Sequence, residues 1–449
     1  TGSFVLDSMF GLDQGFEIYD DTLPSRKPNE TFFAERPAKA VTDAALRHLK
    51  ELKPGRFFLW VHYFDPHHPY AAPSPFAEQY ARSPYDAEIA YVDAEIGRLL
   101  AGMRGMGIRQ RTLVVLVADH GEGLGDHGEE SHGVFPYDEE MRVPLILSFP
   151  PHLPAGRRVK GVVRTVDIMP TVLEILAVDP DGTATPAQGE RLWSLMADDE
   201  SAATLAGYPA YAEAMTPLLL YGWSPLFVLR DGKYKYIEAP RPELYDMAAD
   251  PAEKNNLASA RADLAAGYRA RLEALRQQVA RAGATAETIA PDPETEAKLR
   301  SLGYLGGGNT GTPPARTAGL VDPKEMVEAL GRINRVYVAF GAGRFEAAVE
   351  EAQGILSQAP NNRSVRFYLA GALTELTRYE EAVAEYRKIL DKSPSDTEAL
   401  SNLGWCQINM EKLDEAKKTF GRVLEIYPNH IYARASLANV AFVEGDFRE

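Results

Sequence analysis

Cysteine is nearly absent: Cys406 is the only one in 449 residues. An internal disulfide is excluded, the redox compartment leaves no trace, and Cys406 is expected to be a small buried apolar residue of a helix. Long apolar runs are missing too. No stretch approaches the roughly 20 residues that cross a bilayer, and no basic-then-apolar leader stands at Thr1. Positive charge is scarce, with 48 Lys and Arg against 64 Asp and Glu and a formal net charge of −16. A general nucleic-acid binder needs a basic face for phosphates, so that class of partner is excluded. A small anionic ester is not, because the local field of a divalent cation outweighs distant surface charge that salt screens over about 8 Å. What is there is globular: 45% apolar and 25% charged residues, in a chain longer than one ordinary core, predict two domains.

The chemistry concentrates in residues 118–144, ADHGEGLGDHGEESHGVFPYDEEMRVP. They follow a buried-strand run at 112–117, TLVVLV, which delivers Asp119 and His120 to a strand's carboxyl end, where open α/β sheets place ligands. An adjacent carboxylate and imidazole followed by Gly121 offer an oxygen and a nitrogen donor on a tight turn, and His127 and His132 follow in a glycine-punctuated loop. Taken alone, D-H-G is equally compatible with an aspartate that merely caps a turn. A second apolar run at 57–70, FFLWVHYFDPHHPY, ends in a histidine-rich turn with two prolines. His62 alternates within it as a packed residue would, while Asp65 and His68 suit turn formation.

As a set, these motifs resemble the sulfatase family of the alkaline phosphatase superfamily. A strand, then D-[NH]-G, then G-D-H-G, then Y-x-E-E-x-x-R-V-P-L is matched by Asp119, His120 and Gly121, by Gly125 and Gly128 with the residues between them, and by Tyr137, Glu139, Glu140 and Arg142. His67, His68 and Pro69 resemble the family's H-x-P turn. Residues 166–176 (VDIMPTVLEIL) and 231–257 (DGKYKYIEAPRPELYDMAADPAEKNNL) extend the likeness over about residues 1–305. The resemblance implies an α/β fold with a mixed sheet flanked by helices, here incomplete, and a divalent metal held by Asp119 and His120. Calcium is the first expectation, with manganese and zinc as alternatives because an imidazole is softer than the usual Asn. It also implies His67 and His132 as catalytic contacts to the ester, His132 standing where many sulfatases have a lysine. His127 is left between a supporting residue and a further ligand, and Glu139, Glu140 and Arg142 are expected to orient the loop.

The family's Asp-Asp metal pair and its C/S-x-P-S-R nucleophile segment are not found. Residues 20–26, DDTLPSR, imitate both, but an acidic pair touching the nucleophile segment cannot come from a separate strand end, and threonine cannot yield the aldehyde nucleophile. A polar loop is expected there. The chain is accordingly expected to be inactive alone.

The C-terminal third has its own period. Pro360, Pro394 and Pro428 stand 34 residues apart, as do Phe345, Tyr379, Leu413 and Phe447. That is the tetratricopeptide interval, with Ala382 and Ala416 at the small-residue position and a proline ending each second helix. A Gly/Pro linker, 306–323, is expected between a sulfatase-like domain at 1–305 and an all-α repeat solenoid at 324–449, three repeats plus a partial fourth. The chain opens without Met and stops before the next small residue, so it is expected to be cut at both ends.

Strands are predicted near 57–64, 112–118 and 143–149, helices near 36–52, 84–103, 165–177 and 258–282, and a hairpin over 224–245 turning at Asp231-Gly232. Three functions compete: a metal-dependent sulfate-ester hydrolase with repeats for a protein or peptide partner; a phosphodiesterase, phosphonate hydrolase or phosphotransferase of the same superfamily; and a non-catalytic repeat scaffold. The compartment leaves no mark; an extracytoplasmic one is only what the family suggests.

Overall fold

The computed structural model describes residues 1–3, 6, 8, 11–23, 35–52, 55–68, 70–150, 152–159, 161–178, 188–193, 196, 208–283, 319–360, 362–426 and 430–444. They form two compact units, Thr1–Leu116 with Ile146–Leu153, and Val117–Leu145 with Pro154–Glu449. Pro24, Ser25 and Arg26 of the DDTLPSR imitation, Pro69, Pro428, Phe447 and most of the expected linker lie outside the described residues.

In the first unit, helix α1 (Ala38–Glu51) buries Val41, Ala44, Ala45 and Leu49 on one face, the spacing of an amphipathic helix. Helix α2 (Pro84–Gly105) opens with proline in its first turn, where no backbone donor is lost, and packs Leu99 and Met103 against Ala45 and Leu49. Phe57, Leu59 and Val61 cover the same cluster. The strand predicted at 57–64 is a correction: this run is extended but joins no ladder among the described residues. Its alternation is real, with Phe58 and Trp60 exposed on the other side, but period two records only which face is buried and needs no strand neighbour. Strands β1 (Val114–Val117) and β2 (Leu145–Ser148) pair in a two-stranded sheet.

In the second unit, a single turn, α3 (Asp138–Met141), and helix α4 (Ile168–Ile175) precede an antiparallel meander: β3 (Ala210–Ala214), β4 (Leu226–Arg230), β5 (Tyr234–Glu238) and β6 (Glu243–Asp246). Helix α5 (Thr216–Tyr221) links β3 to β4, and the β4–β5 hairpin turns at Asp231-Gly232 as its sequence predicts. Alternation divides the meander into two faces. Phe227, Leu229, Tyr236 and Leu244 pack on Ala265, Tyr268 and Leu272 of helix α6 (Ala262–Gly283). Leu226, Val228, Ile237 and Tyr245 face the opposite way, into a core shared with Val134, Phe135 and Tyr137.

The repeat region is three helix pairs and a further helix: α7 (Val327–Gly341) with α8 (Phe345–Gln358), α9 (Arg363–Glu375) with α10 (Tyr379–Leu390), α11 (Thr397–Asn409) with α12 (Leu413–Ile426), then α13 (Ile431–Glu444). Phe345, Tyr379 and Leu413, one column of the 34-residue pattern, each begin a second helix. Two further columns share the interval. Asn362, Asp396 and His430 cap the helices that follow, accepting from the amides of Val365, Ala399 and Ala433. Gly343, Thr377 and Glu411 take left-handed φ values of 70°, 59° and 59° between the helices of each pair. Ala382 and Ala416 are fully buried at the helix crossings, and Cys406 is buried as expected.

Candidate metal and ester site

β1 leads directly into the loop. The His120 amide donates to Asp119 Oδ1 at 3.0 Å, leaving Oδ2 facing His120 Nε2 at 3.8 Å. His120 Nδ1 lies 2.7 Å from the Gly121 carbonyl, which can only accept, so Nδ1 is the donor and Nε2 is the nitrogen left to face Asp119. A carboxylate-group oxygen and an imidazole nitrogen at this separation, on exposed side chains, are the donor types that can share one cation at bond lengths of about 2.0–2.4 Å. The donor set therefore fits a divalent metal as a two-ligand half-site. Among the described residues no group of three or more His, Cys, Asp or Glu could enclose one.

His132 lies beside that pair, its ring centroid 4.1 Å from that of His120. Its Nδ1 donates to both oxygens of the buried Glu122, at 3.2 and 3.3 Å. Burial alone would make His132 easier to deprotonate, but the Glu122 hydrogen bond and the charges of Glu122, Glu129 and Asp119 outweigh it and raise its pKa above the ordinary imidazole value. The His132 ring thus stands next to Asp119 and His120. The structure brings these three residues together in the second unit.

Glycine lets the loop fold this tightly. A Cβ on Gly121 would collide with the Glu139 carbonyl, and one on Gly123 with the Glu129 carbonyl. Glu129 accepts from the amides of Val134 (3.0 Å) and Phe135 (2.8 Å), and Glu140 accepts from that of Gly133 (2.8 Å), so two buried carboxyls hold the segment after His132. Burial first, then their mutual repulsion, raises the Glu140 carboxyl far above its usual range, and burial raises Glu129 with it.

His127, in the 3-10 turn Asp126–Gly128, faces away from this chemistry. Its Nδ1 donates to Glu139 at 2.5 Å, its Nε2 to the Glu253 carbonyl at 3.2 Å, and its ring stacks on Tyr137. With both nitrogens engaged it supports the loop. Glu139 and Glu140 orient the loop as expected, whereas Arg142 is exposed.

His67 belongs to the first unit. Its amide and that of Ala71 donate to the two oxygens of Glu88 from α2, at 3.0 and 2.7 Å, which fixes the turn. Its ring stacks on Phe64 at 4.1 Å, and Nδ1 donates to the His68 carbonyl at 2.7 Å. His62 accepts from the Gly2 amide at 3.3 Å, a structural role.

Sequence reasoning did not single out Glu122, nor the fully buried Lys235. Lys235 meets Asp138 at 3.2 Å and Glu253 at 2.9 Å, while Glu253 accepts from the Asp138 amide at 2.6 Å. The signal for Glu253 was present in the D-P-x-E segment, Asp250 to Glu253. For Glu122 there was none, because its partner lies ten residues away across the loop.

The Sulfatase family model matches residues 5–178, and that described as N-sulphoglucosamine sulphohydrolase, C-terminal, matches residues 125–278. Tetratricopeptide repeat models match residues 333–397 and 373–440. An N-acetylglucosamine-6-O-sulfatase of Bacteroides thetaiotaomicron is 32% identical over 188 residues, 40% of this chain and 32% of that protein. Arylsulfatase K of Mus musculus is 29% identical over 191 residues, 40% of this chain and 32% of that protein. The multifunctional alkaline phosphatase superfamily protein PehA of Trinickia caryophylli is 27% identical over 306 residues, 52% of this chain and 57% of that protein. The chain spans about a third of the length of the first two. Residues 5–278 thus carry sulfatase-family sequence and residues 333–440 carry tetratricopeptide repeats.

Proposed function

We propose that this chain supplies part of a metal-dependent site for sulfate-ester hydrolysis. The observation that carries the reading is the pairing of Asp119 Oδ2 and His120 Nε2 at 3.8 Å beside the His132 ring. Asp119 and His120 would hold the cation, calcium first and manganese or zinc as alternatives; when bound it would supply charge neutralisation at the ester oxygens. His132, held through Nδ1 by Glu122 and with its pKa raised by that carboxylate, would present its ring to an ester or leaving oxygen. The repeats would take a protein or peptide partner.

The nucleophile is the missing part. Within the 449 residues the only x-L-P-S-R begins with Thr22, and Asp20 beside it is engaged by Arg36 at 2.7 Å and by His48 at 3.3 Å. Arg36 and His48 outweigh the effect of burial and hold the Asp20 carboxyl far below the carboxylate range, as a structural ion pair does.

The test is an assay of this chain with an aryl sulfate and an aryl phosphate, with added calcium or manganese. No turnover is expected, and clear turnover would overturn this reading of the nucleophile. The coding sequence upstream of Thr1 separates the alternatives. A Cys or Ser heading x-P-S-R there supports the sulfatase, a Thr supports the phosphorus-ester enzyme, and an intact upstream sequence without any such segment supports the scaffold.

A further inference from the structure

The repeat region does not begin as a tethered module. Its first turn is hydrogen-bonded to the meander: the Ser224 amide donates to the Val321 carbonyl at 2.8 Å, and the Arg241 amide to Asp322 Oδ2 at 2.9 Å. Lys324 adds a bond to the Arg241 carbonyl at 3.0 Å and an ion pair with the buried Glu243 at 3.6 Å. Glu243 in turn accepts from the Tyr137 hydroxyl at 3.1 Å, at the far end of the candidate loop.

The packing is equally continuous. Val134, Phe135, Tyr137, Leu226 and Val228 lie in one buried cluster with Leu330, Ile333 and Val336 of α7. Val327, the first residue of α7, lies against Gly128, so close that a Cβ on that glycine would strike its Cγ1. Gly128 closes the turn between the metal pair, Asp119 and His120, and the ester-facing His132. In addition, the first helices of successive pairs touch one another, α7 with α9, α9 with α11 and α11 with α13, which makes them the inner face of the stack. Helix α5 contacts α9, and the Tyr337 ring of α7 lies 4.5 Å from that of Tyr368 of α9. The inner face of the first two pairs therefore receives the chain's own α5.

We propose that the first repeat is a positioning element of the ester site, Val327 and the α7 face holding the Gly121, Gly128 and His132 segment in place, rather than a free surface for a partner. Chain connectivity alone does not require this, since the expected Gly/Pro linker, 306–323, could leave the two parts independent. A contiguous core of this kind transmits a disturbance from α7 to the loop within one packing layer. The proposal rests on the reading of Asp119, His120 and His132 as the site. Its first test does not.

That test is hydrogen exchange, read by mass spectrometry, on the full chain carrying Val327→Ala, Val327→Ile or Phe420→Ala. Phe420 is buried in a separate cluster of the third pair with Leu400, Ala416 and Val423. Val327→Ala is expected to speed exchange over residues 121–135 at least fivefold, with Val327→Ile restoring it and Phe420→Ala leaving it unchanged. Loop exchange that stays at the wild-type rate in Val327→Ala, or that rises equally in Phe420→Ala, overturns the proposal. The second readout is Mn2+ broadening of the His120 and His132 imidazole resonances, expected to need at least threefold more Mn2+ in Val327→Ala. If the wild-type chain shows no broadening, the reading of the site fails, and the exchange comparison still decides the positioning claim.

Discussion

His127 lies flat on Tyr137, ring centroids 3.7 Å apart and planes within 16°, while both of its nitrogens face acceptors. A carboxylate and a carbonyl can only accept, so the ring is held as imidazolium. Burial by itself would lower the His127 pKa, but the hydrogen bond and charge of Glu139 outweigh it and raise it above 6.5, while His127 holds Glu139 below 4.5. The raised histidine contributes stability that is complete below its unfolded pKa and is lost as pH climbs through the folded one. The lowered glutamate contributes stability present above its unfolded pKa and lost as pH falls through the folded one. The two windows overlap from about pH 4.5 to about pH 6.5. His127→Ala should therefore cost about 2 kcal/mol at pH 6 and progressively less above pH 7, read by urea denaturation at a series of pH values. A cost that grows from pH 6 to pH 9 would contradict the assignment.

Lys235 is fully buried between Asp138 and Glu253. Lys235→Ala leaves two carboxylates with one cation fewer in a dry site, a loss of about 3 kcal/mol. Lys235→Met keeps the stem and should lose nearly as much, because the charge rather than the volume is missing. Denaturant midpoints of the two variants make the comparison, and a near-neutral Lys235→Met would show that the ammonium contributes little.

Gly121 faces the Glu139 carbonyl with no room for a methyl group. Gly121→Ala is expected to destabilise by about 2 kcal/mol, whereas Gly97→Ala, on α2 with open space around it, should be neutral or slightly stabilising. Thermal unfolding of both variants provides the check.

In the repeats, Thr377 and Glu411 occupy the left-handed position that glycine fills at Gly343. Relief of Cβ strain and the greater entropy of an unfolded glycine oppose each other, with strain the larger. Thr377→Gly and Glu411→Gly should each stabilise by about 0.5 kcal/mol. A loss in both variants would show that other contacts of the two side chains outweigh the strain.

The repeats were legible because period is a one-dimensional property. A column such as Phe345, Tyr379 and Leu413 marks helix starts without knowledge of any contact. Asp119, His120 and His132 were legible because the loop that joins them is short and spaced by glycines. The run 57–64 was misread as a ladder strand because alternation records one buried face and not a hydrogen-bonded neighbour. Glu122 beneath His132, and Val327 against Gly128, were invisible for a different reason: each depends on how a loop closes or on a contact spanning about 200 residues, and neither leaves a local pattern.

The most direct measurement is a Mn2+ titration of the full chain followed by histidine imidazole resonances. Selective broadening of His120 and His132, with exposed His152 unaffected and the effect abolished by Asp119→Ala, is the predicted result. Broadening that is absent, spread evenly over all histidines, or unchanged in Asp119→Ala would contradict a cation held between Asp119 and His120.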